Sequence, residues 1–308
     1  MNIAIIGAGL SGATLYDLLR RDGHDVTLFE KSRGVGGRCS TRYIGERRLD
    51  HGTPYFEADD RAFVSFCDQK VSEKILRREG ESYYPTAGIN RLCASLIDEE
   101  NLHKNSKIVS CTLHNKLWSL KDAEGRLYTD FDRLIITIPA PQLLELDINM
   151  KSDTRSKLAT VEYDSIATLL LSSQKPIPKD IASALMALSS ASAFKKIVDN
   201  SAKYNYEGFA SYIIHLDSTL TQSYNFTDKE ALKAVILDKV EQLSGIKLDE
   251  LFEISPHFWK YAFVSKALSD SYIYDESSSL GLCGDYFMGE HLQSAYLSAT
   301  RLYDEQFR

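Results

Sequence analysis

Asn2-Ile-Ala-Ile-Ile-Gly7-Ala-Gly9-Leu-Ser11-Gly12 opens the chain, and its reading decides the fold. The apolar run Ile3–Ile6 stops at Gly7, as a buried parallel strand does before a turn. Gly7, Gly9 and Gly12 have the spacing of a dinucleotide fingerprint. The first glycine allows a tight turn, the second admits a pyrophosphate to the backbone, and the third lets the next helix pack on the strand. That helix carries Leu10, Ala13, Thr14, Leu15, Leu18 and Leu19, with Arg20 and Arg21 where its dipole favours cations. Its N-terminus, around Ser11, offers free N–H groups to an anion. After Gly23-His24 a second strand, Asp25 to Glu30, ends in an acid about 20 residues past the turn, where a ribose hydroxyl is bound. The reading is a strand–helix–strand dinucleotide site.

Composition sets the bounds. The chain has 308 residues, 44% hydrophobic and 26% charged, with a net charge of −7. That is an ordinary globular composition with ample core for one large or two smaller domains. No basic stripe points to nucleic acid, and Arg42, Arg47 and Arg48 read as solvated charges. Cys39, Cys67, Cys93, Cys111 and Cys283 form no C-x-x-C pair, which points to a reducing compartment with neither disulfide framework nor metal site. Met1 to Leu10 lacks a basic leader and runs into the glycine turn, so it reads as a strand and not a signal peptide. No apolar run is long enough to span a bilayer. A soluble, cytoplasmic protein is the expectation.

A second glycine turn follows Glu30 at once: Lys31-Ser-Arg33-Gly34-Val-Gly36-Gly37-Arg38. The run from Glu30 to Arg38 resembles the two-dinucleotide-binding signature of the flavin amine oxidase superfamily. The resemblance implies FAD, with Glu30 and Lys31 at the adenosine ribose and Gly37 and Arg38 at the pyrophosphate. A planar guanidinium suits that group. Leu49-Asp50-His51-Gly52-Thr53-Pro54-Tyr55-Phe56 is similar to a segment of renalase-like flavoproteins, in which this strand's end approaches the flavin. Pro54 stands where those proteins usually have glutamine, and it restricts Thr53 and removes one N–H donor.

Further along, residues 57–84 are mixed, with Phe63, Val64, Phe66 and Val71 on one helical face, and a helix bearing Leu92, Cys93, Leu96 and Ile97 follows Gly88. Ser106 to Pro139 reads as strand, hairpin and buried strand, and the resemblance puts the backbone of Val109 against adenine. From Leu143 the character changes to that of a second sheet, with strands at 161–172 and 209–216. The Ala/Ser-rich residues 181–194 read as a surface loop with an apolar turn. Thr227-Asp-Lys-Glu230 is a capping box for a core-facing helix closed by Gly245.

Two late segments carry chemistry. Pro256–Phe263 alternates as a strand, with His257, Trp259, Tyr261 and Phe263 on one face. These side chains either line a pocket over the isoalloxazine ring or pack a sheet core, and no clear acid–base pair stands among them. Leu280-Gly-Leu-Cys-Gly284-Asp285 and the helix after it resemble the closing FAD motif. There the resemblance implies that Asp285 binds the ribityl chain, with Gly284 and Leu292 at the flavin edge. A helix N-terminus stabilises the charge that edge gains on reduction. Gly289 to Gln293 replaces the arginine and glutamate common in the family, and no cysteine stands where monoamine oxidases link their flavin, so FAD is expected to be non-covalent.

The fold expected is α/β: a Rossmann-like FAD-binding domain from 1–60, 85–145 and 278–308, with an inserted α+β substrate domain (61–84 and 146–277) on a mostly antiparallel sheet. The resemblance implies hydride transfer from an isomeric reduced NAD(P)H to flavin N5, with O2 as acceptor and peroxide as product. Oxidation of a small amine or another small molecule, or a non-catalytic flavin-binding sensor, are the alternatives. A small-molecule substrate and O2 are the expected partners, without nucleic acid or membrane; oligomeric state stays open.

Overall fold

The computed structural model describes residues 1–224 and 228–308. Strand β1 (Asn2–Ile6), helix α1 (Leu10–Arg21) and strand β2 (Asp25–Phe29) form the expected unit. β1 lies between β2 and the strand Arg133–Ile136 and is parallel to both. The sheet extends to Leu102–His103 on one side and to Leu280–Leu282 and Ile273–Asp275 on the other, with only Ile273–Asp275 antiparallel. Ile3, Ile5, Leu28 and Ile135 are fully buried. A parallel strand covered on both faces requires such an unbroken apolar run. One face packs on α1 and the C-terminal helix (Leu292–Gln306) through Leu15, Leu19, Ala299 and Leu302. The other packs on the antiparallel strands Ile108–His114, Leu117–Asp122 and Leu127–Phe131, around Trp118. The first, middle and last parts of the chain therefore share one sheet. Among the described residues no helix is long and apolar enough to cross a membrane.

Residues 61–84 contribute the helix Arg61–Ser72, whose Phe63 and Phe66 pack on Tyr296 of the C-terminal helix. The second large sheet is antiparallel, in the order Phe194–Asp199, Ala210–Leu216, Glu162–Ser173, Glu253–Lys266. Alternation gives it two different faces. Ala167, Leu169, Leu171, Tyr212 and Ile214 meet Leu232, Ile236 and Val240 of the helix Lys229–Ser244. That helix starts at Asp228, whose carboxylate accepts the Ala231 N–H at 2.7 Å, and ends at Gly245 with φ 71°. Thr227, the expected start of the capping box, lies outside the described residues.

Two expectations are corrected. Residues 181–194 are not a surface loop: Lys179–Ala187 form a helix, and Leu185, Leu188 and Phe194 are buried in the same core. Ile181, Ala184, Leu185 and Leu188 recur at helical spacing, a signal masked by the Ala/Ser composition. Arg47 is not solvated but only 7% exposed. Its guanidinium donates to the Ser173 carbonyl at 3.1 Å and lies over the Phe209 ring, supplying a donor at a strand end.

The opposite face of the second sheet is turned to residues 47–57, with Leu170, Val198 and Ile213 packed on Leu49. This juxtaposition builds the site.

Candidate active site

The two glycine turns touch. The Gly36 N–H donates to the Ala8 carbonyl at 2.8 Å, and Gly9 and Gly36 form a parallel bridge. Gly7 has φ +107°, a conformation suited to glycine. A Cβ on Gly12 would stand 1.9 Å from the Gly7 carbonyl, so α1 could not pack so closely with a larger residue. A Cβ on Gly9 would point into open space, and α1 begins there with no side-chain cap and no acid in its first turn. The open cradle and the uncapped N–H groups suit a phosphate chemically. Gly37 lies against Gly9.

Glu30 ends the second strand and is buried. Its carboxylate accepts the Ala8 N–H at 3.0 Å and the Ser32 N–H at 2.8 Å, which fixes it beside the turn with lone pairs to spare. Lys31 reaches out to Gln142 at 2.8 Å. The Ser11 hydroxyl donates to the Ala295 carbonyl at 2.7 Å, so it binds α1 to the C-terminal helix. Val109 falls at a bulge between Ile108 and Ser110, left without a register partner on the neighbouring strand 117–122.

Arg38 and Asp285, from opposite ends of the chain, form an ion pair at 2.5 Å. The arginine side chain is 29% exposed and also donates to the Ala262 carbonyl at 3.3 Å. Burial works against the guanidinium charge, but Asp285 outweighs it and raises the pKa. The neighbouring Gly284 N–H donates to Ser298, and Leu292 opens the C-terminal helix against the cluster containing Leu10 and Phe63.

Across from this lies an aromatic and histidine wall. His51 stacks on Trp259 at 5.4 Å and meets His257 edge-on at 4.9 Å, and His257 and Trp259 are 4.4 Å apart. Trp259 Nε1 and His215 Nε2 both donate to the His51 carbonyl at 3.0 Å. Tyr261 departs from this group. The strand register slips between Trp259 and Phe263, and Tyr261 packs instead on Tyr163 at 5.5 Å. Burial is the main cause that holds His51 down to about 3 and His215 and His257 down to about 4. At neutral pH all are uncharged imidazoles. They can orient a flat ring and exclude water, and they carry no proton to donate as an acid.

Pro54 and Tyr55 lie at the edge of the wall. The Pro54 carbonyl accepts from Lys203 Nζ at 3.2 Å, and Tyr55 stacks on Tyr84 at 5.1 Å. Asp50, fully buried, is paired with Lys203 at 2.6 Å and accepts from Tyr204, Thr41 and the Ile89 N–H. With every oxygen engaged it is a strut and not a general base. Gln293, in the departing C-terminal motif, accepts the Asp59 and Asp60 N–H groups and so holds a loop. His51 lay within a quoted motif, but His215 and Lys203 had no sequence signal. They reach the site through sheet register and a short helix.

Comparison with known proteins bears on the fold. A family model described as an NAD(P)-binding Rossmann-like domain matches residues 5–69. The chain is 25% identical over 197 residues to renalase from Mus musculus, covering 53% of this chain and 55% of that protein. It is 28% identical over 137 residues to 4-hydroxybenzoate brominase (decarboxylating) from Marinomonas mediterranea, covering 44% and 25%. It thus spans about half the length of the renalase and a quarter of the brominase. Cyclohexylamine oxidase from Brevibacterium oxydans shares the fold with a TM-score of 0.68 at 10% identity, over 100% of this chain and 99% of that one. The chain thus carries an NAD(P)-binding Rossmann-like region at its start, is similar over about half its length to renalase, and shares its fold with cyclohexylamine oxidase.

Proposed function

We propose that the chain is an FAD-dependent oxidoreductase of renalase type, taking hydride from an isomeric reduced NAD(P)H and delivering electrons to O2. The observation that carries the reading is the meeting of Arg38 and Asp285 beside the paired glycine turns. Two motifs from opposite ends of the chain converge where one extended dinucleotide would run. Residues 1–60, 85–145 and 278–308 form its domain in this reading, and 61–84 with 146–277 the substrate domain. Gly7, Gly9, Gly12, Gly37 and Arg38 would hold the pyrophosphate, Glu30 with Lys31 the adenosine ribose, Val109 the adenine, and Asp285 the ribityl chain. Bound FAD supplies a two-electron acceptor at N5 and a route for those electrons to O2, giving peroxide.

The protein's own part is positioning. His51, His257 and Trp259 form a rigid, uncharged surface against which a flat ring can be oriented and from which water is excluded. Hydride transfer needs orientation more than a strong base, which agrees with a wall of neutral imidazoles. Oxidation of a small amine is the second reading, favoured by the fold shared with cyclohexylamine oxidase.

Anaerobic mixing of the purified yellow protein with candidate reductants separates the readings. Rapid bleaching by isomeric NAD(P)H is expected. Bleaching by amines alone would establish the second reading, and no bleaching by either class would leave a non-catalytic flavin protein. A colourless protein that takes up no FAD overturns the cofactor assignment.

A further inference from the structure

A polar band crosses the face of the second sheet turned to residues 47–57. Lys196 stands opposite His215, His215 opposite Thr168, and Thr168 opposite His257. Directly opposed residues on paired strands project from the same face. Three strand spacings make the band about 14 Å long. The adjacent row of this face is mainly apolar, with Leu170, Val198 and Ile213 in contact with Leu49, and Ser172 and Ser211 form the row beyond it. A polar band within such a face calls for an explanation.

The band is incompletely satisfied. His215 donates to the His51 carbonyl. The fully buried Thr168 hydroxyl has no hydrogen-bond partner among the described residues. His257 makes ring contacts with His51 and Trp259 and leaves its nitrogens free among the described residues. The Lys196 ammonium lies 3.8 Å from the centre of the Tyr55 ring, with no carboxylate at ion-pair distance among the described residues. Burial pushes its pKa down to about 8, with Glu57 pulling the other way, so it is mainly charged at neutral pH. Lys203 nearby shows the contrast, being paired with Asp50 at 2.6 Å. Lys196 is half-buried, and a partly desolvated cation is ordinarily paired, since an aromatic face replaces only part of its hydration. Nor is this charge needed for a cofactor pyrophosphate, since Arg38 lies at the glycine turns and Lys196 on the other sheet.

We propose that the Lys196 end of this band is a substrate subsite, in which Lys196, seated over the Tyr55 ring, receives an anionic oxygen group of the substrate, a carboxylate or a phosphate. The assignment rests on the reading above that the reaction takes place between the glycine turns and the second sheet. Lys196 is then the residue that selects an acidic substrate over a neutral one of the same shape.

Calorimetric titration of the flavin-loaded protein with benzoate, inorganic phosphate and the neutral isostere benzamide tests this. Lys196→Met should weaken anion binding at least about tenfold, Lys196→Arg should largely restore it, and benzamide should not discriminate among the three proteins. A stronger response to benzoate than to phosphate identifies a carboxylate subsite, and the reverse a phosphate subsite. Lys196→Gln, which keeps a polar side chain but no charge, should give a similar loss, and it keeps the test decisive should Lys196→Met fail to fold. Unchanged anion affinity in Lys196→Met, or no anion binding by the unaltered protein, overturns the proposal. Visible absorption of the same samples reports flavin separately. A colourless protein that still binds anions through Lys196 would sink the cofactor reading and leave the subsite standing.

Discussion

Glu30 does two things with one carboxylate. Its oxygens accept the Ala8 and Ser32 N–H groups, which pins the strand end to both glycine turns, and in the proposed function the same carboxylate binds the adenosine ribose. Glu30→Ala should therefore both weaken FAD retention and destabilise the fold, by about 1–3 kcal/mol for the Ala8 N–H left buried and unpaired, the exposed Ser32 N–H turning to water instead. Flavin-to-protein absorbance after gel filtration reads the first effect and urea unfolding the second. Lower stability with undiminished flavin would remove Glu30 from the cofactor site and leave its structural role. Gly52 makes a steric prediction. A Cβ there would stand 1.9 Å from the Arg38 carbonyl and 3.3 Å from the Trp259 ring. Gly52→Ala must push the Arg38 backbone away, so flavin retention should fall although no polar contact is deleted. At this scale the glycines, Glu30, Arg38 and Asp285 were legible because each belongs to a short pattern with a physical reason for its spacing. Lys196, Lys203 and His215 were not, because a single lysine or histidine in a strand or short helix has no local signature.

Among the elements, the short helix Asn200–Tyr204 has more influence than its length suggests. Lys203 and Tyr204 project from it onto Asp50, and Lys203 also reaches the Pro54 carbonyl. The helix thereby clamps the segment that runs from the second glycine turn to Tyr55. Lys203→Met leaves the Asp50 carboxylate buried without its counter-ion and should cost about 3–5 kcal/mol, seen as a lower urea midpoint. Pairing it with Asp50→Asn removes the stranded charge and should recover part of the loss. A double variant no more stable than Lys203→Met would mean that the pair itself contributes little. The strand–helix–strand start and the strand–helix end were readable because local periodicity dictates them. The helix Lys179–Ala187 was hidden by its Ala/Ser composition, and the slip near Tyr261 by the assumption of even alternation. A bulge depends on the partner strand, which the sequence alone does not name.

For the molecule as a whole, the interface between the second sheet and residues 47–57 is a place where acid should act. His51, His215 and His257 are neutral there because burial disfavours their charged forms. In the unfolded chain each takes up a proton near pH 6.5. The folded values lie lower, at about 4 for His215 and His257 and about 3 for His51. The unfolded state therefore binds more protons below pH 6.5, and stability must fall with pH. Their contribution is complete above pH 6.5, declines as pH drops, and is gone once pH has passed through the folded values. For the buried His215 alone the span is worth about 3 kcal/mol at roughly 1.4 kcal/mol per pH unit. Asp275, held down to about 2, adds a loss in the same direction at still lower pH. Protonation of His215 or His51 also acts where Trp259 and the sheet grip the His51 carbonyl, so opening should begin at this interface and release flavin with it. Urea midpoints at pH 7.5, 6 and 5 should fall in order, with free flavin fluorescence rising in parallel. His215→Gln, which cannot titrate, should start less stable and show a shallower slope. A profile flat from pH 7.5 to 5 would mean that water reaches these imidazoles, and the wall could not then keep a reacting ring dry.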